Sequence, residues 1–255
     1  MTKEMSKTQI DRLGDRLRKG NVSDDDLRLL DQYRLSFSEA YETVVGNIRK
    51  ELSLEPTGRP AKSTTSISDK LRRESIRLTQ IQDIAGGRLI VPDISSQESV
   101  VQSLENLFEN TTIVDRRKQP SHGYRAVHVI VSYLGKAIEI QVRTLLQHQW
   151  AELSEKFSDI VNPAIKYGGG NESIQTTLKE LSSVVATQEW LEVNSASIAT
   201  LLLSQDVLTE NKKQEMINIQ QEISNLSQEI FEHLRSNIEV VEELKGENDD
   251  ISDRV

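Results

Sequence analysis

The sequence predicts a mixed α/β (α+β) protein: a mixed β-sheet flanked by helices, with long helical segments at both ends. Two observations carry this expectation. Runs of β-branched residues are confined to the stretch between Arg88 and Val142. Apolar residues spaced by three or four occupy the first 55 residues and return after Thr144, the period of an amphipathic helix.

In order along the chain, Gly20-Asn21-Val22 breaks a first helix. Ser23 then suits an N-cap, and Asp24 to Asp26 suit the positive end of the helix dipole. Leu27, Leu30, Tyr33, Phe37, Tyr41, Val44, Ile48 and Leu52 predict one long amphipathic helix, stopped by Glu55 to Pro60. A shorter helix is expected from about Ser66 to Leu78. Arg88-Leu89-Ile90-Val91, Thr112-Ile113-Val114, Val127 to Val131 and Ala137 to Val142 read as strands, with a hairpin signal at Gly135-Lys136. Ser99 to Glu109 carries helical spacing between the first two strands. The alternation of the last strand places Glu139, Gln141 and Arg143 on one face.

Helices are expected again at Leu145 to Ile160, Ser173 to Leu203 and Thr209 to Leu244. Asn162-Pro163 ends the first of these, and Tyr167-Gly168-Gly169-Gly170-Asn171 reads as a turn, with a phosphate cradle as the alternative. Two apolar seams, Ile174 to Leu191 and Met216 to Val241, predict a C-terminal helical hairpin. The reading taken is a homo-oligomer joined through it, and packing on the rest of the chain is the alternative.

The 255 residues carry 31 basic and 40 acidic side chains, a net charge of −9, with 36% hydrophobic residues and no cysteine. That balance argues against a protein that coats nucleic acid through its whole surface. No apolar run approaches the ~20 residues needed to span a bilayer. Met1 to Met5 lack the apolar core of a secretory signal, so a cytoplasmic protein with no membrane partner is expected. The net charge hides two basic stretches. Arg59 to Arg88 has seven basic residues against three acids, and Thr112 to His128 has four against one. Basic clusters on an acidic chain suit an anionic ligand of limited size, such as a nucleoside triphosphate; a solvated basic face is the alternative.

Asp83 precedes one predicted strand and Glu139 lies within another, so both can reach one edge of the same sheet. Two carboxylates there could hold Mg²⁺, which favours oxygen ligands and substrate phosphates. The surrounding residues make the pair specific. Asp83-Ile84-Ala85-Gly86-Gly87-Arg88, His122-Gly123-Tyr124-Arg125-Ala126-Val127-His128, Glu139-Ile140-Gln141-Val142-Arg143-Thr144 and His148-Gln149-Trp150-Ala151-Glu152 follow in this order. The series resembles the synthetase domain of the RelA/SpoT family, the alarmone synthetases, over about Arg59 to Tyr167.

The resemblance implies a nucleotidyltransferase-like fold and a GTP pyrophosphokinase-like enzyme. Such an enzyme moves the β,γ-diphosphate of ATP to the ribose 3′-hydroxyl of GDP or GTP, making (p)ppGpp and releasing AMP. It further implies that Arg59 and Arg88 stack on adenine and that Lys62, Lys70 and Arg73 hold ATP phosphates. Asp83 and Glu139 would be the catalytic and metal-binding pair, Glu139 also drawing the proton from the attacking hydroxyl. Tyr124 would stack on the acceptor base, with Arg125 and His128 near phosphates, Gln141 and Arg143 completing the polar strand face, and His148 near the base. Arg72, Arg77 and Arg116 read as solvated neighbours, and Trp150 as packing.

On this basis residues 1–55 form an N-terminal helical region, 56–170 the synthetase core, 171–245 a C-terminal helical extension and 246–255 a disordered acidic tail. Two departures bear on the acceptor and on regulation. Arg116 to Gly123 is shorter than the acceptor loop of many members and lacks its Asp-Tyr, and no His-Asp dipeptide marks a hydrolase domain. A stand-alone synthetase is therefore expected. The alternative is a toxin-like relative acting on adenine nucleotides or on the 3′ CCA end of tRNA, with an antitoxin as partner. In that case Lys3, Lys7, Arg12, Arg16, Arg18 and Lys19 could contact the RNA backbone. A non-catalytic nucleotide sensor is the third reading, and Asp83, Tyr124 and Glu139 weigh against it.

Overall fold

The computed structural model describes residues 5–203 and 209–252; the side chains of residue 59, residues 201–203 and residues 244–252 lie outside that description. The chain divides into two compact units. One comprises Met1–Leu89, Val101–Val114 and His128–Gln141, and the other Ile90–Val100, Asp115–Val127 and Val142–Val255. A five-stranded mixed sheet has the order β1-β2-β5-β4-β3. Its strands are β1 (Thr57–Arg59), β2 (Ala85–Val91), β3 (Thr111–Asp115), β4 (Val127–Tyr133) and β5 (Lys136–Thr144).

In the first unit, α1 (Lys7–Lys19) starts at a capping box between Ser6 and Gln9 and ends at Gly20, which is left-handed. Its buried stripe is Ile10, Leu13 and Leu17. Gly14 allows close approach, since a Cβ there would lie 2.7 Å from the Cβ of Leu78. Arg18 donates to the carbonyls of Leu71 (2.8 Å) and Ile76, satisfying carbonyls around the end of α4 (Thr64–Arg73). Asp11 accepts from the backbone and hydroxyl of Thr79. Together these bonds hold in place the Leu78–Gln80 turn that leads into Asp83. Arg16 pairs with buried Asp26 at 2.6 Å, so Arg16 and Arg18, two candidates for RNA contact, are committed within the chain. Lys3 lies outside the described residues.

The long helix expected from Leu27 to Leu52 is two, α2 (Asp24–Leu35) and α3 (Ser38–Leu52). The Ser36 hydroxyl donates to the Tyr33 carbonyl at 2.6 Å, a local bond of the kind by which serine competes with helix continuation. The helix expected to reach Leu78 stops at Arg73, where Glu74 turns to extended geometry. Leu78 instead opens the short turn under α1. β1, read from the sequence only as a helix stop, pairs antiparallel with β2, Arg59 opposite Gly86. Leu134 and Gly135, both at positive φ, make the two-residue turn that joins β4 to β5 as a hairpin.

In the second unit, α6 (Leu145–Ile160) begins at a capping box of Thr144 and Gln147. Helices α7 (Glu172–Leu203) and α8 (Glu210–Ser252) pack on it. Leu178, Val185, Leu234 and Val241 join Leu146, Trp150 and Leu153 in one buried cluster. Each such side chain contributes about 1.5–3 kcal/mol of apolar transfer. Trp150 Nε1 donates to the Leu178 carbonyl at 2.7 Å, and Lys156 pairs with Glu242. Part of each seam thus serves the chain's own fold, while Ile219 and Leu226 of the second seam, with Trp190, Val193 and Ile198, face outward. Helix α8 continues to Ser252, across the start of the segment expected to be an unstructured tail from Gly246; residues 253–255 lie outside the described residues. α5 (Ile94–Leu107) completes the helices. Among the described residues, no helix is long and apolar enough to cross a membrane.

Candidate active site

The first unit holds a paired-carboxylate centre. Asp83 lies two residues before β2, its side chain one-fifth exposed, and two ammonium groups engage its two oxygens: Lys62 at 2.5 Å and Lys70 at 2.9 Å. Lys62 is placed by its own backbone, which donates to the Ile84 carbonyl at 2.6 Å. Lys70 comes from α4, whose start is capped by Ser63. Burial raises the Asp83 pKa, but the two lysines outweigh it and hold the carboxyl at about 2.

Glu139 stands on β5. Its Oε1 lies 2.9 Å from His128 Nδ1 on β4, and its Oε2 accepts from Gln141 Nε2 at 2.8 Å. Burial and the negative charge of Asp83 raise its pKa; the bonds and charge of His128, helped by Gln141, prevail and leave it below the usual glutamate value. Gly86 is required here, because a Cβ at that position would lie 2.3 Å from the Glu139 carbonyl oxygen. Lys62 and Lys70 thus gather on Asp83, and His128 and Gln141 on Glu139. Arg73 pairs with Glu74 at 3.1 Å. Arg88 lies on β2 opposite Thr57. The side chain of Arg59 lies outside the described residues.

Two ionised carboxylates whose charges act on each other, beside two lysines, have the donor chemistry that Mg²⁺ takes. Among the described residues no group of three or more His, Asp or Glu could hold a metal ion. The pair would therefore leave the remaining positions to phosphate and water oxygens.

The second unit holds the other candidates. Ser121 and Tyr124 bridge across a tight turn in which His122 and Gly123 both have positive φ. Gly123 is doubly constrained, by φ +92° and by Trp150, which a Cβ there would meet at 2.7 Å. The Arg143 guanidinium lies 5.1 Å from the Tyr124 ring centre and donates to its hydroxyl at 3.2 Å. Tyr124 is half-buried against the α6–α7–α8 cluster. Arg125 donates to the Arg117 carbonyl and to Glu189, both at 3.1 Å. His148 on α6 lies 3.8 Å from Glu152.

A cleft of about 670 Å³ opens between this loop and α7, lined by Arg116, Arg125, Lys179, Ser182 and Ser183 among others, with no acidic residue in its wall. Gly168 and Gly169 spend their backbone N–H groups on the carbonyls of Ile165 and Ala164, which fits the turn and leaves those groups no phosphate to cradle. Sequence reasoning missed Ser182, Glu189 and Lys179. The visible signal was that the stripe Ile174, Leu178, Leu181, Val185 runs on, at the same spacing, into polar Gln188 and Glu189.

Carboxylates beside lysines on a mixed sheet are groups of the kind that phosphoryl-transfer sites use to neutralise charge. Residues 58–158 match the family described as a region found in RelA / SpoT proteins. An uncharacterized protein of Mycobacterium tuberculosis is 31% identical over 133 residues, 51% of this chain and 49% of its own length. A GTP pyrophosphokinase of Escherichia coli is 25% identical over 171 residues, 64% of this chain and 23% of its own length. The chain thus spans about half the length of the mycobacterial relative and less than a quarter of the other. Among solved structures, the small alarmone synthetase 1 from Bacillus subtilis aligns with a TM-score of 0.48 and 26% identity, over 71% of this chain and 100% of that one.

Proposed function

We propose that the protein is an ATP-dependent pyrophosphokinase that transfers the β,γ-diphosphate of ATP to the ribose 3′-hydroxyl of GDP or GTP. The observation that carries this reading is Asp83, ionised at neutral pH and engaged on both oxygens by Lys62 and Lys70, with Glu139 ionised close by. Mg²⁺ held by Asp83 and Glu139 would neutralise polyphosphate charge. Lys62 and Lys70, displaced from Asp83, would then turn to the phosphates of ATP, with Arg73 beside them and Arg59 and Arg88 on adenine.

The chemistry is a single displacement. The 3′-oxygen bonds to the β-phosphorus, the bond from that phosphorus to the α,β-bridging oxygen breaks, and AMP leaves. Glu139, ionised and oriented by His128 and Gln141, takes the hydroxyl proton. Phosphoryl-type transfer depends more on charge neutralisation and alignment than on covalent chemistry. On the acceptor, Tyr124 stacks on the base and His148 lies near it. Arg125 and Arg143 supply cations, and the acid-free cleft suits the phosphates.

Incubation of the protein with γ-³²P-ATP, Mg²⁺ and, separately, GDP, GTP, AMP, ADP and deacylated tRNA tests the acceptor. Label in a guanosine product supports this reading; label confined to adenosine products or tRNA transfers the assignment to the toxin-like alternative, with an antitoxin as the expected partner. Outward-facing Trp190, Val193 and Ile198 support self-association through the helical hairpin. A single-chain mass by light scattering at assay concentration contradicts it.

A further inference from the structure

We propose that Glu189, on a helix outside the RelA/SpoT segment, is a positioning residue that aims Arg125 and so makes α7 one wall of the acceptor site. The inference rests on the reading of Arg125 as an acceptor-binding residue.

Two hydrogen bonds join α7 to the loop that carries Tyr124 and Arg125, and a third links it there through Trp150 of α6. The Leu178 carbonyl accepts from Trp150, whose ring abuts Gly123. Ser182 Oγ donates to the Gly123 carbonyl at 2.6 Å. Glu189 Oε2 accepts from Arg125 Nη2 at 3.1 Å. Residues 178, 182 and 189 stand at i, i+4 and i+11, which on a helix of 3.6 residues per turn is one narrow face. A single stripe of α7 therefore supports the turn from below Gly123 to the head of Arg125.

Glu189 is 4% exposed and fully engaged. Its Oε1 accepts from Gln147 Nε2 at 2.6 Å and from the Thr144 hydroxyl at 3.1 Å. Gln147 in turn bonds Gln97, which bonds the Val142 carbonyl. The carboxylate is thus itself held rigidly, by the residues that cap α6 and by the end of β5. Burying an ion pair gains little or no stability over an apolar pair of the same volume, so stability alone gives no reason for a carboxylate here. Orientation does. Arg125 is 14% exposed, and it also donates to the Arg117 carbonyl. Glu189 is the group that fixes the direction of the guanidinium along the cleft wall, beside Lys179 and Ser183, which α7 also supplies.

The test compares Glu189→Gln, Arg125→Ala and the double variant, measuring kcat and KM separately for ATP and for the acceptor, with melting temperatures recorded for each. Glu189→Gln is expected to raise acceptor KM about tenfold, the scale of one charge-assisted hydrogen bond, with ATP KM unchanged. The same change in the Arg125→Ala background is expected to have no further effect. If Arg125→Ala raises acceptor KM and Glu189→Gln does not, the positioning role is wrong while the acceptor assignment stands. If Arg125→Ala leaves acceptor KM unchanged, the acceptor assignment of Arg125 fails first and the inference falls with it. Should Glu189→Gln fail to fold, Ser182→Ala removes one hydrogen bond and no charge. A several-fold rise in acceptor KM supports the wall formed by α7, and an unchanged value overturns it.

Discussion

Asparagine in place of Asp83 removes one negative charge and almost nothing else, which makes it the cleanest probe of the carboxylate and its two lysines. In the folded chain this carboxyl is held at about 2, against 3.8 for an unperturbed aspartate. A difference of that size is worth about 2 kcal/mol in favour of the ionised folded state at neutral pH. The side chain is only one-fifth exposed, so solvent screening removes little of it. Because the folded pKa is depressed, the stabilisation is fully present above the unfolded value and is lost as pH falls from 3.8 toward 2. Between pH 5 and pH 3 it should shrink by about 1 kcal/mol. Urea denaturation of wild type and Asp83→Asn at both pH values measures this. Wild type should be the more stable by about 2 kcal/mol at pH 5 and by about 1 at pH 3. Lys70→Met, which removes one ammonium, should move the loss to higher pH. A difference that does not change with pH, or an Asp83→Asn protein more stable than wild type at pH 5, would refute the ion-pair reasoning.

Three further outcomes follow from the second unit. Tyr124→Ala should cost about 1–3 kcal/mol of acceptor binding, the magnitude of base–aromatic stacking, while calorimetry with a nonhydrolysable ATP analogue shows unchanged affinity; an equal loss for the analogue would move Tyr124 to the donor side or to the core. Gly123→Ala should destabilise by at least about 1–2 kcal/mol in thermal or urea unfolding, because the φ of +92° and the contact with Trp150 both oppose a methyl group; a neutral substitution would mean that the turn is not as described. Leu178→Ala should cost about 2–5 kcal/mol, since Leu178 is 1% exposed and its backbone also receives Trp150; a loss below 1 kcal/mol would show that α7 is not docked on α6.

How far the sequence speaks depends on whether each feature is written locally. Helix α6 is legible to the residue because Thr144 and Gln147 form its capping box and Asn162-Pro163 closes it. Strand β5 is legible from its alternation. β1 is not: three residues, one of them glycine, have no period of their own, and the strand exists because β2 offers Arg88, Gly87 and Gly86 as partners. The break between α2 and α3 is equally hidden, since Ser36 interrupts the helix through a bond to a carbonyl three residues back while the apolar spacing continues across it. At the site, the motifs named Lys62, Lys70, Asp83, His128, Glu139 and Gln141, but which cation meets which carboxylate is a matter of tertiary geometry. Arg116, read as a solvated neighbour, lines the cleft. Glu189 and Ser182 were beyond reach of motif reasoning because their partners lie 64 and 59 residues away. Only the polar interruption of the α7 stripe hinted at them.

The central claim is that Asp83 and Glu139 drive diphosphate transfer from ATP. Its most direct test is a single-turnover reaction of the purified protein with γ-³²P-ATP, Mg²⁺ and GDP, counting AMP released against label gained by the acceptor, for wild type, Asp83→Asn and Glu139→Gln. The wild type should release one AMP for each labelled acceptor, and each variant should react at least about 10²-fold more slowly with folding retained by circular dichroism. Release of ADP in place of AMP, or undiminished transfer by both folded variants, would contradict it.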